Sequence, residues 1–205
     1  MKSLYKYFIA ILFIAIGFNG FSQGVGLGNI IIDPYYGYPN FGKNFAQAVQ
    51  NENASGVDFK VGGIGPAGLR IEYMVADRIG IGADAIYNSN VVSFSLQDTV
   101  AGELKSYEYK MQRLRVQLRI NYHFNITSPA FDSYIGVGAG TNNRFRTTTE
   151  NGVEIEGNGL EDFTLLPFSI RLCAGARYYF SDNFGVNTEI GIGGPLISLG
   201  LSVKI

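Results

Sequence analysis

Few residues in this chain have side chains suited to catalysis, since its 205 residues include one histidine and one cysteine. His123 could act as a general base if a hydroxyl or carboxylate stood beside it, and Ser133 and Glu189 are possible partners. We expect a structural histidine instead, and we read Cys173 as a small buried residue rather than a nucleophile. A single cysteine also excludes a disulfide framework and a cysteine-based zinc site. We therefore predict no catalytic residue, no metal site and no cofactor.

A glycine-rich segment at residues 63–68, Gly-Ile-Gly-Pro-Ala-Gly, matches the sequence motif of dinucleotide-binding sites. That motif binds a nucleotide only where a helix follows the glycines, because the helix N-terminus holds the pyrophosphate. The residues that follow, Leu69 to Tyr73, alternate between apolar and polar types as a strand does. The sequence therefore predicts a stretch of strand here and no bound nucleotide.

Charged residues make up only 16% of the chain, yet ten of them recur at alternate positions within otherwise apolar segments. Seven are cations and three are anions, and arginine side chains pair well with carboxylates through two parallel hydrogen bonds. The predicted charge network consists of Arg70, Glu72, Asp84, Arg113, Arg115, Arg119, Arg171, Arg177, Glu189 and Lys204. The net charge of the whole chain is −1, so its composition does not favour a nucleic-acid partner.

The elements that carry these charges show strict alternation of apolar and polar side chains. In residues 113–124, Leu114 and every second residue after it are apolar, while Arg113 and every second residue after it are polar. Successive side chains of a strand point to opposite faces, so this pattern predicts a strand with one face of each kind. Similar segments lie at residues 68–75, 79–88, 134–141, 168–180, 185–192 and 198–205, and an eighth strand is expected within Val25–Tyr36.

The two faces of these strands suit lipid on one side and a narrow interior on the other. The polar faces carry Gly, Ser, Asn and Arg, and the apolar faces end in aromatic residues. This pattern is typical of a transmembrane β-barrel, in which the closed wall gives every backbone N–H and C=O group a hydrogen-bond partner within lipid. The predicted fold is an all-β, eight-stranded, antiparallel up-and-down transmembrane barrel. Its predicted aromatic girdle consists of Tyr73, Tyr87, Tyr122, Phe124, Tyr178 and Phe180.

The first 22 residues have the three parts of a secretory signal peptide. Two lysines precede an uncharged apolar run from Phe8 to Phe18, and small residues precede a cleavage point after Ser22. That run is shorter than the ~20 residues that span a bilayer as a helix. We predict cleavage between Ser22 and Gln23, and a mature barrel domain of residues 23–205.

The links between the predicted strands are mostly long at one end of the barrel and short at the other. Residues 38–57, 96–106 and 147–162 form long links, whereas residues 76–78 and 181–184 form short ones. Barrels of the bacterial outer membrane have short periplasmic turns and longer external loops. We therefore expect both termini in the periplasm and three sizeable loops outside the cell.

Two hairpins carry a family resemblance. Residues 177–186 resemble the penultimate hairpin of small outer-membrane β-barrel proteins of the Bacteroidetes, and residues 72–82 resemble the same unit earlier in such barrels. The resemblance implies a member of the group of eight-stranded barrels similar to OmpA, OmpX and OmpW. The C-terminal pattern of Gly200, Val203 and Ile205 is similar to the signal read by the barrel-assembly machinery, with Ile205 in place of the usual aromatic residue.

The expected function is a non-enzymatic one: a monomeric scaffold in the outer membrane that presents external loops. Its expected partners are outer-membrane lipid, lipopolysaccharide and, during insertion, the barrel-assembly machinery. A binding or assembly factor for an outer-membrane or secretion complex is one alternative. The excess of cations leaves a narrow anion-preferring pore as another, although an eight-stranded barrel is just wide enough to be filled by side chains. A lipid A-modifying enzyme built on His123 is the least favoured interpretation.

Overall fold

A computed structural model describes residues 24–40, 42–44, 47, 59–97, 104–124, 128–155 and 167–205, and it shows a barrel of strands. Eleven strands lie in these residues: β1 (Ile30–Tyr38), β2 (Phe59–Gly62), β3 (Ala67–Ala76), β4 (Ile79–Gln97), β5 (Leu104–Phe124), β6 (Phe131–Thr141), β7 (Asn143–Glu150), β8 (Val153–Glu154), β9 (Phe168–Tyr179), β10 (Phe184–Ile192) and β11 (Ile197–Lys204). The predicted signal peptide lies outside the described residues.

Eight of these strands close into a wall in the order β1, β3, β4, β5, β6, β9, β10 and β11. Each pairs antiparallel with the next, and β11 returns to β1 with Lys204 opposite Ile31. Wall strands that follow one another in the chain are neighbours, so the topology is up-and-down. The predicted fold class is confirmed, with the first strand beginning at Ile30 within the expected segment.

The wall has an apolar exterior and a polar interior because the strands alternate as their sequences predict. On β5, for example, Leu118 is 74% exposed while its neighbour Gln117 is fully buried. The buried side chains include Arg, Asp, Glu, Asn and Ser from every part of the wall. Among the described residues, no helix is long and apolar enough to cross a membrane.

The two ends of the barrel differ in construction. At one end, which we call the turn end, Asp77 and Arg78 join β3 to β4, residues 180–183 join β9 to β10, and Ile205 ends the chain. At the other, the loop end, β4 and β5 continue as a paired ribbon as far as Gln97 and Leu104. Residues 90–97 and 104–111, together with β2, β7 and β8 alongside them, form what we call the extension.

Candidate functional site

Glu189, on β10, is the first of two hubs of a hydrogen-bond network inside the barrel. Its carboxylate accepts hydrogen bonds from Arg70 Nη1 at 2.7 Å, Arg119 Nη2 at 2.6 Å and Arg171 Nε at 2.9 Å. The hydroxyl of Tyr134 donates to the same carboxylate at 2.9 Å. The three arginines come from β3, β5 and β9 and Tyr134 from β6, so this one carboxylate on β10 connects five wall strands.

Arg177, on β9, is the second hub and has the opposite charge. Its guanidinium donates to Asp132 Oδ2 at 2.8 Å, Glu72 Oε2 at 2.6 Å and Asp33 Oδ2 at 2.9 Å. The guanidinium also lies 4.5 Å from the ring centroid of Tyr134, a cation–π contact. The side chain is almost completely buried, so its charge is compensated by protein groups rather than by bulk water.

Further contacts extend the network around the interior. Arg119 Nη1 donates to Asp84 at 3.1 Å, and the hydroxyl of Tyr35 donates to Asp84 at 2.6 Å. The guanidinium of Arg70 lies 4.1 Å from the ring centroid of Tyr35. These contacts join β1 and β4 to the strands of the Glu189 hub, so polar side chains bridge the interior from wall to wall.

His123 lies between two carboxylates of the network. Its Nδ1 is 2.7 Å from Asp132, and its Nε2 is 3.0 Å from Glu72. Its partners therefore differ from Ser133 and Glu189, the two that the sequence suggested. Because both ring nitrogens are already engaged, neither is available to take a proton from a substrate hydroxyl. The geometry is that of a structural histidine.

The other sequence motifs with possible chemistry also lie in structural surroundings. Cys173 is buried, and its Sγ accepts a hydrogen bond from Arg119 Nη2 at 2.9 Å. In the glycine-rich segment, the Gly65 amide donates to the Tyr36 hydroxyl at 2.8 Å, and strand β3 follows from Ala67. In the described part of the chain, no group of three or more His, Cys, Asp or Glu residues is arranged to hold a metal ion.

The charges of the two hubs are nearly balanced, which the sequence count did not predict. Besides the three acidic residues expected inside, the network contains Asp33 on β1 and Asp132 on β6. Four arginines (Arg70, Arg119, Arg171 and Arg177) thus face five carboxylates (Asp33, Glu72, Asp84, Asp132 and Glu189), with His123 between two of the carboxylates. Asp33 shares its strand face with Ile31 and Tyr35, an alternation that could have revealed it.

Three of the predicted network cations lie away from the hubs. Lys204 is buried near the turn end, with its Nζ 4.6 Å from the ring centroid of Tyr179. Arg113 and Arg115 lie near the loop end, where β5 leaves the wall to enter the extension. The predicted network therefore divides into a central salt-bridge core and a separate basic group at the loop end.

The predicted girdle residues lie at both ends of the wall. Tyr73, Tyr122, Phe124, Tyr178 and Phe180 are near the turn end, whereas Tyr87 is near the loop end. The hydroxyl of Tyr87 accepts a hydrogen bond from Gln112 at 2.6 Å. The three residues of the predicted assembly signal lie on β11 or directly after it, where Ile205 is 67% exposed and exchanges two backbone hydrogen bonds with Ile30.

Residues 17–197 match the family described as outer membrane protein beta-barrel domain. The chain belongs to this family. It is therefore an outer-membrane β-barrel protein, as the sequence predicted. A comparison with curated proteins found no match.

The chain is similar to several solved structures, and one of them, OprG, supports the same fold. The outer membrane protein OprG of Pseudomonas aeruginosa is 14% identical, with 90% of this chain and 99% of that chain covered and a TM-score of 0.50. The N-terminal β-barrel domain of OprF from the same organism is 14% identical, covering 88% and 99%, with a TM-score of 0.45. The attachment invasion locus protein Ail of Yersinia pestis is 12% identical, covering 87% and 99%, with a TM-score of 0.35. At these identities the likeness concerns the fold alone.

Proposed function

We propose that this outer-membrane barrel is a non-enzymatic, non-conducting scaffold that anchors the extension in the membrane and presents it at the cell surface. The observation that carries this proposal is the pair of hubs at Glu189 and Arg177. Their side chains join strands on opposite sides of the interior through hydrogen bonds of 2.6–2.9 Å. An eight-stranded barrel has little interior space beyond what such side chains fill.

The absence of enzymatic activity is proposed from the state of the histidine. A general base needs a free nitrogen within hydrogen-bond reach of the proton it takes. Both nitrogens of His123 are bonded to carboxylates, and the histidine lies at the turn end of the barrel, away from the extension. Replacing His123 with Ala should therefore leave the lipid A of the host unchanged in mass spectra, and the loss of a modification would support the enzymatic alternative.

The orientation proposed for the barrel places the turn end in the periplasm and the loop end outside the cell. Short turns face the periplasm in bacterial outer-membrane barrels, and longer loops face outward. Both described ends of the chain lie at the turn end, where Ile30 pairs with Ile205. The proposed partners follow from this orientation: outer-membrane lipid and lipopolysaccharide around the wall, and the barrel-assembly machinery during insertion.

Cysteine labelling of intact cells tests this orientation, since the native Cys173 is buried. Val153→Cys, in the exposed β7–β8 hairpin of the extension, should react with a membrane-impermeant maleimide in whole cells. Asp182→Cys, in the exposed β9–β10 turn, is the matched control and should react only after the outer membrane is permeabilised. Labelling of Asp182→Cys alone in whole cells would reverse the proposed orientation.

A binding role is the second candidate, and the extension is the feature that favours it. Phe94 stacks on Tyr107 and Tyr109 with ring centroids 5.7 and 5.8 Å apart, so the ribbon carries a cluster of three packed aromatic rings. Such a cluster could contact another protein of an outer-membrane or secretion complex. Crosslinking in cells followed by co-purification separates this role from a free scaffold, since a scaffold alone should recover no stoichiometric partner.

A further inference from the structure

Three half-buried arginines lie together at the loop end, away from the two hubs. They are Arg113 and Arg115 on β5 and Arg144 on β7. Among the described residues, no carboxylate forms an ion pair with any of them. Each of the four arginines of the hub network, in contrast, forms an ion pair with at least one carboxylate, so the loop-end group has a different electrostatic character.

The strand register places these positive charges next to each other. Arg113 is directly opposite Arg144 on one side and opposite Asn88 on the other. Cross-strand partners share one face of the sheet, and like charges in that position repel each other. Arg115 is two residues along β5 and therefore on the same face as Arg113. An anion bound between the arginines would convert this repulsion into attraction.

A cavity of about 170 Å³ adjoins two of these arginines. Its polar lining consists of Asn88, Asn90, Arg113 and Arg115, and Ile86 and Met111 are among its apolar lining residues. The volume is well above the roughly 10–15 Å³ that accommodates one water molecule on the same measure. The cavity therefore has room for a tetrahedral oxyanion that carries a small substituent.

Several polar atoms of the cavity lining, and of Arg144 opposite Arg113, are available to a ligand in the described part of the chain. Arg115 donates through Nε to Asn142 Oδ1 at 3.3 Å, which leaves its two Nη groups for another acceptor. Nε of Arg144 is buried and has no hydrogen-bond partner. Asn90 is 8% exposed, and its buried Oδ1 also has no partner. Buried polar atoms are nearly always hydrogen-bonded, so these atoms indicate a ligand with both acceptor and donor groups.

We propose that Arg113, Arg115 and Arg144, together with Asn90, form a phosphate-binding site at the loop end of the barrel interior. Guanidinium groups bind phosphate oxygens through paired, charge-assisted hydrogen bonds. Asn90 Oδ1 accepts a hydrogen bond from a protonated phosphate oxygen, which sulfate does not offer at neutral pH. The same chemistry belongs to a soluble phosphomonoester and to the phosphorylated headgroup of lipopolysaccharide. This site is additional to the scaffold role and does not depend on it.

Calorimetric titration of the folded barrel in detergent with inorganic phosphate tests the site. The wild-type protein should bind phosphate, and Arg113→Gln and Arg115→Gln should each weaken binding about tenfold or more. A tenfold change in affinity corresponds to ~1.4 kcal/mol, a loss that removal of one charge-assisted hydrogen bond is large enough to produce. Sulfate should bind more weakly than phosphate, and equal affinity for the two anions would overturn the assignment of Asn90.

Lys110→Gln is the matched control because it removes one positive charge from an exposed position on the opposite face of β5. This variant should bind phosphate as the wild type does. Every variant should also show the heat-modifiable gel migration of a folded barrel, so that lost binding reports the site and not misfolding. Absence of phosphate binding by the wild type, or an equal loss in Lys110→Gln, would overturn the proposal.

Two competition experiments identify the source of the phosphate group. Glucose 6-phosphate should displace inorganic phosphate if the natural ligand is a soluble phosphomonoester. Vesicles that contain lipopolysaccharide should displace it if the ligand is a headgroup, and vesicles with dephosphorylated lipopolysaccharide should then fail to do so. Displacement by either source supports the site. Displacement by dephosphorylated lipopolysaccharide would overturn it.

Discussion

The side chains of the two hubs are stable as a set because each of their buried charges has a partner of opposite sign. Glu189 contacts three arginines, and Arg177 contacts three carboxylates. Transferring a charge out of water costs several kcal/mol, and close partners with further hydrogen bonds recover that cost. The removal of one hub should therefore cost more than the removal of an exposed charge, because it leaves several buried charges without compensation.

Glu189→Gln should lower the free energy of unfolding by ~3 kcal/mol or more. The variant keeps the size of the side chain but leaves Arg70, Arg119 and Arg171 with one negative charge fewer between them. Urea unfolding of the barrel in lipid vesicles, analysed by linear extrapolation, measures the change.

Glu108→Gln serves as the control for this measurement, because Glu108 is exposed on the extension with one long hydrogen bond to Ser93 at 3.5 Å. Exposed substitutions of this kind usually change stability by at most ~0.5 kcal/mol. Equal stability of the Glu189→Gln variant and the wild type would contradict the role of Glu189 as a hub.

The sequence predicted which residue types fill the interior but not how they pair. Alternation alone assigns Arg177 and Glu189 to the inner face, since it depends only on position along one strand. The sequence did not assign Asp33 to the interior because the run Ile30-Ile31-Ile32 obscures which residues of the first strand point inward. It did not assign Asp132 because that residue precedes the clear alternation of β6. The partners of His123 depend on the register between strands, which no single segment encodes.

At the scale of strands, the predicted segments of the wall match the observed ones closely. Periodicity is strong where lipid lies on one side and the packed interior on the other, because each residue then has one of two environments. The extension shows the limit of this signal. Clear alternation ended at Asn88 and resumed at Arg113, and the long link between the two strands was predicted at residues 96–106. In the structure β4 continues to Gln97 and β5 begins at Leu104. Beyond the wall the alternation on β5 is reversed. Tyr107, Tyr109 and Met111 share the strand face of Arg113, so the phase that identifies the inner face of the wall does not continue into the extension.

The link between β10 and β11 at the loop end is short, and Gly193 within it adopts a backbone conformation that permits so tight a turn. Its φ of 86° lies in the left-handed region, and a Cβ placed there would be 1.6 Å from the carbonyl oxygen of Ile170. Gly193→Ala should therefore destabilise the barrel by ~2 kcal/mol or more, because backbone strain and a clash with β9 add together. The same urea titration measures this loss.

Gly152 supplies the matched control, since its φ of 81° is nearly the same and no atom lies within 4 Å of the position that a Cβ would occupy. Gly152→Ala carries the backbone strain alone, at ~1 kcal/mol, and it lies in the β7–β8 hairpin outside the wall. If the two variants lost equal stability, the close approach to Ile170 would not be what requires glycine at position 193.

The whole barrel combines a lipid-facing exterior with an interior that is bridged rather than open. Arg70 crosses from β3 to Glu189 on β10, and Arg177 crosses from β9 to Glu72 on β3. Such crossings occupy the space through which an ion would pass. The basic group at the loop end lies above them, so it can hold an anion without providing a route through the membrane.

Planar-bilayer recordings should therefore show no anion-selective conductance steps for the wild-type barrel. The expectation rests on the two hubs at Glu189 and Arg177, since an ion would have to break several buried hydrogen bonds of 2.6–2.9 Å to pass between them. A wide porin inserted under the same conditions provides the positive control, and heat-modifiable migration confirms that the added protein is folded. Steps that increase in number with the amount of folded barrel would show that the bridges open, and would favour the pore over the scaffold.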